Sequence, residues 1–140
     1  MTPETIRLVR SSFDQVLPVA DLAATLFYDR LFVLDPSLRS LFPENLNQQK
    51  QSLMATLRIA VEQLDQPDRL LPVVRQLGVR HERYGVTAAH YATVADALLW
   101  TLEQGLGPAF TPAVRAAWTA VYEVLATTMQ SAAATAPATP

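Results

Sequence analysis

The 140-residue chain contains no cysteine, which excludes a disulfide, a thiolate nucleophile, an iron–sulfur cluster and covalent c-type haem attachment. Any metal held by side chains must therefore be held by nitrogen or oxygen. Imidazole is almost as scarce, with His81 and His90 as its two sources. Basic residues are not in excess: 11 Lys and Arg against 13 Asp and Glu leave a formal charge of -2 and a pI near 5.6. They are scattered along the chain, so nothing matches a phosphate backbone and nucleic acid is not an expected partner. No stretch of about 18 apolar residues runs uninterrupted, as a membrane span requires. Arg7 and Arg10 break up the apolar groups of the first residues, MTPETIRLVRSSF, which is unlike a signal peptide. These absences predict a soluble, cytoplasmic protein.

What the chain has is apolar residues at helical spacing. A hydrophobic content of 50% with 17% charge suffices for one compact core at this length. Thr2-Pro3, Asp35-Pro36 and Thr111-Pro112 read as helix starts, because Thr or Asp caps free amides and Pro pre-sets the first helical residue. Ile6, Val9, Phe13, Val16 and Leu17 form one stripe of a first helix that ends before Pro18. Leu22, Leu26, Phe27, Leu31 and Phe32 mark a second from about Val19 to Leu34. A short helix spans Pro36 to Leu41, and residues 42–46 form a loop around Pro43 and Asn45. Leu53, Leu57, Val61 and Leu64 carry a long fourth helix that Gln66-Pro67-Asp68 breaks. A shorter fifth is expected from about Leu70 to His81, with Pro72 in its first turn, and Gly85 turns the next corner. Thr87 caps a sixth helix through Tyr91, Val94, Leu98 and Leu102, which stops near Gly105 to Pro108. A last helix runs from Pro112 to about Gln130, and residues 132–140, low in complexity, are expected to be a disordered tail. Apolar runs with period-two alternation are missing, so the predicted class is all-α.

His81 lies in the pattern Leu77-Gly78-x-x-His81-x-x-Tyr84-Gly85-Val86. Gln49 and Leu53, one turn apart, share a helix face, so one polar and one apolar group look the same way. Upstream stand Leu26-Phe27-Tyr28-Asp29-Arg30-Leu31-Phe32 and Asp35-Pro36-x-Leu38-x-x-Leu41-Phe42. These segments, in this order and spacing, resemble the globin domain of bacterial flavohaemoglobins and the related single-domain globins, from about residue 3 to residue 130.

The resemblance implies a globin fold with helices around a haem pocket, haem b as cofactor, and His81 as proximal iron ligand. It places Tyr28 over the distal face with Gln49 beside it, Phe42 against the haem plane, and Leu53, Leu57 and Val86 in the lining. A Tyr or Gln donor aimed at haem-held dioxygen makes a charge-assisted bond worth about 1.5 to 3 kcal/mol, or roughly 10- to 150-fold in affinity. Tyr28 is thus the main candidate for slowing oxygen release, with Gln49 as helper. Tyr91 matches a Tyr that, in flavohaemoglobins, joins a Glu in supporting the proximal His. Here the chain departs from the pattern, since the Glu position aligns with Ala133, inside the expected tail. His90 carries no family role and is expected at the surface near the proximal edge. Met54, about 100° around the helix from Leu53, is discounted as a ligand.

Three functions compete on this reading. The first is oxidation of nitric oxide to nitrate by dioxygen, with electrons from a separate reductase because no flavin or nicotinamide domain is in the sequence. The second is oxygen storage, delivery or sensing. The third is a helical interaction protein with a globin-like shape and no haem, which failure to take up haem would establish; the haem globin is expected as a monomer or weak homodimer.

Overall fold

A computed structural model describes residues 1–135. Among these it contains six α-helices and no strand: α1 (Pro3–Val16), α2 (Ala20–Leu34), α3 (Asn47–Glu62), α4 (Pro67–Arg83), α5 (Ala88–Leu106) and α6 (Pro112–Thr135). Short 3-10 turns fill Leu17–Val19, Pro36–Leu41 and Gly107–Ala109.

All three X-Pro starts hold. The Thr2 hydroxyl accepts from the Thr5 amide at 3.1 Å, Asp35 Oδ1 from Ser37 N at 3.1 Å, and the Thr111 hydroxyl from Val114 N at 3.2 Å. Two expectations fail. α4 begins at Pro67 rather than Leu70, because a proline at the first helical position loses no bond and starts a helix as readily as it breaks one. Pro72 is consequently interior; it withholds a bond from the Asp68 carbonyl, which stands at an exposed residue within reach of water. The last helix also continues past Gln130, so that 132–135 are helical instead of tail, and Ala133 sits on α6. Alanine is the best helix former and needs no core to extend an existing helix. Residues 136–140 of the expected tail lie outside the described residues.

The core is one cluster. α1 packs across α6, with the Phe13 and Trp118 rings 6.2 Å apart between centroids, and α2 crosses α5; Val9, Val16, Phe27, Leu31, Ala97, Leu98, Val114 and Val121 belong to the same buried cluster. Trp118 Nε1 donates to Ser12 Oγ at 2.8 Å in the buried interface, and the Ser12 hydroxyl donates to Leu8 O at 2.7 Å. A polar indole edge is thereby satisfied inside an apolar seam. α4 lies along α6 and makes almost no contact with α3, its neighbour in sequence. That separation leaves Tyr28, Gln49 and Leu53 on one side of the bundle and His81 on a helix not packed against them.

Candidate functional site

The site begins with the two histidines, which hydrogen bonds fix in opposite tautomers. His81, half-buried in the last turn of α4, has Nδ1 2.6 Å from the Leu77 carbonyl oxygen. A carbonyl only accepts, so Nδ1 carries the proton and Nε2 of the neutral ring keeps its lone pair. His90 has the reverse arrangement: the Thr87 amide donates to His90 Nδ1 at 3.0 Å, while the His90 amide donates to Thr87 O. This reciprocal pair closes the start of α5 and spends the His90 lone pair on the backbone. Of the two imidazoles, His81 is the one with a nitrogen free to bind a metal.

The corner after His81 fixes its main chain as well. Gly85, at φ +89°, occupies the left-handed position that ends α4; its amide donates to Glu82 O, and the Val86 amide donates to the His81 carbonyl, both at 3.0 Å. That is the paired geometry of a glycine-terminated helix, and a residue bearing a Cβ adopts it at a cost. The ring and the carbonyl of His81 are therefore both tied to backbone.

The distal candidates gather around α2. Tyr28 is 3% exposed, stacked edge-on with Phe27 at 5.1 Å and Phe42 at 5.6 Å between centroids, and tilted against Phe32 at 6.1 Å. Burial pushes its phenol above the ordinary range, and a polar interaction with Gln49, in the first turn of α3, pulls the other way. The hydroxyl stays protonated, a donor rather than a charge. Sequence reasoning missed Arg39, which stood at an unassigned position of the Asp35-Pro36 segment. Its guanidinium donates to the carbonyls of Phe42, Pro43 and Glu44 at 3.4, 2.9 and 2.8 Å and lies over the Phe32 ring at 5.4 Å. Arg39 thus pins the loop that presents Phe42; a lone Arg before three main-chain acceptors leaves no periodic signal in a sequence.

Leu53 and Leu57, half-buried on α3, line a void of about 20 Å³ with Phe13, Phe27 and Trp118. Met54 lines it too, as an apolar wall. On the far side, Tyr91 and Tyr122 border a cleft of about 340 Å³ between α5 and α6. The Tyr122 hydroxyl donates to the Tyr91 carbonyl at 2.6 Å, and burial raises both phenols, with the Tyr91 ring adding to the rise at Tyr122. Val86 is half-buried at the corner. Ala133, on α6, brings no carboxylate to this side.

Among the described residues no three His, Cys, Asp or Glu side chains stand close enough to hold a metal ion. A metal on His81 must then arrive with ligands of its own, as iron does in a porphyrin. The free Nε2 and the carbonyl-bound Nδ1–H are the donor chemistry such a group requires, so the residues fit it.

Comparison with known proteins bears on the family and the fold. The globin family model matches residues 25–129. The chain is 35% identical to the flavohemoprotein of Bordetella parapertussis over 129 residues, covering 90% of this chain and 32% of that one. It is 32% identical to the flavohemoprotein of Bacillus subtilis, over 88% of this chain and 32% of the other. It therefore spans about a third of the length of these curated relatives. Among solved structures, an engineered carbene transferase derived from a protein of Rhodothermus marinus described as a nitric oxide dioxygenase superposes with a TM-score of 0.86, at 29% identity, over 96% of this chain and 94% of that one.

Proposed function

The chain belongs to the globin family, and on that footing we propose that it holds haem b through His81, binds dioxygen reversibly and converts nitric oxide to nitrate with electrons from a separate reductase. The observation that carries the reading is the His81 ring, anchored by its Nδ1 proton to Leu77 O with Nε2 left as a lone pair. Ferrous haem, when bound, supplies the dioxygen site and one electron, so that NO, O2 and the electron combine as nitrate.

The chain's own residues do the rest. His81 would hold the iron through Nε2, and the Leu77 carbonyl raises the basicity of that nitrogen by accepting the Nδ1 proton. Tyr28, neutral and buried, offers a hydroxyl to a ligand carrying partial negative charge, and Gln49 orients that hydroxyl or donates beside it. Phe42, Leu53 and Leu57, packed against the core, would line the haem pocket together with Val86 and keep water out, while the Tyr122 hydroxyl bond to the Tyr91 carbonyl steadies α5 against α6. The relatives named as flavohemoproteins and the structure described as a nitric oxide dioxygenase derivative support this chemistry. One residue favours storage or delivery instead: Ala133 provides no acid to strengthen the His81 ligand.

The test is to mix the oxygenated ferrous protein with nitric oxide and follow nitrate and the oxygen dissociation rate. We expect one nitrate per nitric oxide and oxygen release on the order of seconds or slower. Rapid release without nitrate would replace this reading with storage or delivery.

A further inference from the structure

α4 and α6 pack together more extensively than any other pair of helices among the described residues, and there Gly78 lies directly against the main chain of Met129. A Cβ added to Gly78 would fall 2.5 Å from Met129 Cα and 2.6 Å from its carbonyl carbon, closer still to the carbonyl oxygen. These are backbone atoms, and no side-chain rotation can make room. Gly78 is one residue beyond Leu77, whose carbonyl holds the His81 ring, and three before His81 itself. Main chain therefore rests on main chain one helical turn from the ligand nitrogen.

We propose that the crossing of Gly78 over Met129 is the stop that sets how far the His81 ring stands from α6, which makes Gly78 a positioning residue for the ligand histidine; the inference rests on the haem reading of His81. Alanine at 78 forces α4 away from α6 along the turn that carries both Leu77 and His81. The ring travels with the helix, because Leu77 O holds its Nδ1 proton and the Val86 amide holds its carbonyl. Helix propensity alone pushes the other way, since alanine is favoured over glycine inside a helix. A variant without a steric conflict would melt higher than the parent.

The experiment is a cycle on the haem-loaded full chain. Gly78→Ala should shift the iron–histidine stretching band of the ferrous protein and speed haem loss to an acceptor by roughly tenfold, the scale of outer-shell substitutions. In His81→Gly loaded with haem and free imidazole, the ligand is no longer tethered to α4, and adding Gly78→Ala should leave the band and the loss rate where they were. An equal change in both backgrounds would show a merely structural role and overturn the proposal, as would a higher melting temperature with an unmoved band. Met129→Ala, which keeps the backbone crossing, should leave the band in place; a shift there would assign the control to the Met129 side chain instead, and this arm stands even if Gly78→Ala does not fold. If the parent takes up no haem, or takes it up with a spectrum indifferent to His81, it is the haem reading that has failed.

Discussion

At the scale of single residues, function turns on where protons sit. His81 and His90 are chemically identical side chains, yet a carbonyl acceptor at one and an amide donor at the other leave them opposite lone pairs. Tyr28 is the corresponding case among hydroxyls. If its proton points at the ligand, Tyr28→Phe should accelerate oxygen release by about tenfold or more, measured by trapping the vacated haem with a competing ligand. An unchanged rate would remove Tyr28 from the site. Burial raises the phenols of Tyr28, Tyr91 and Tyr122, so the folded chain holds these protons to higher pH than the unfolded one. Stability is then fully present below the unfolded tyrosine range, about pH 10, and is lost as pH rises through the higher folded values. Denaturant midpoints should fall across that range, less steeply in Tyr28→Phe; equal slopes would contradict the burial. His81, Tyr28, Phe42 and Gln49 stand out in the sequence as candidates because their order and spacing match a family. Arg39 and the Leu77 carbonyl do not, since neither a main-chain acceptor nor its partner alters composition or period.

At the scale of elements, starts were legible and ends less so. Thr2, Asp35 and Thr111 announce helices by cap chemistry, and each side chain accepts the amide expected of it. At Pro67 the same logic marks a break and a start together: α3 ends at Glu62, and the proline itself opens α4 ahead of Leu70. At the other terminus, the alanines after Gln130 have little to pack with, but continuing a helix asks only for propensity. The corner at Gly85 was legible, and it makes a prediction. Gly85→Ala meets no obstacle nearer than Leu41 Cδ2 at 3.7 Å, so its cost is conformational, about 1 to 2 kcal/mol in denaturant unfolding. A neutral result would mean that the chain does not need the left-handed residue. The seam between α1 and α6 makes another: Ser12→Ala strands Trp118 Nε1 in the core and should cost about 1 to 3 kcal/mol. Stability equal to the parent's would show that the indole finds another acceptor.

At the scale of the whole molecule, the six helices of the described residues bury one continuous core while holding α3 and α4 apart. α2 and α3 carry a protonated phenol, an amide and aliphatic side chains, and α4, unpacked against α3, carries a single imidazole. Apolar periodicity was enough to foresee the helices and their class, but not which neighbours in sequence remain unpacked, because a stripe of leucines reads the same whether it meets a helix or a cofactor. No helix among the described residues is long and apolar enough to cross a membrane. The most direct test of this arrangement is absorbance titration of the full chain with haem, comparing the parent with His81→Ala and His90→Ala. We expect one haem per chain for the parent and for His90→Ala, with identical ferrous spectra, and loss of that spectrum in His81→Ala with recovery on adding imidazole. Haem bound equally well without His81, or not bound by the parent at all, would contradict it.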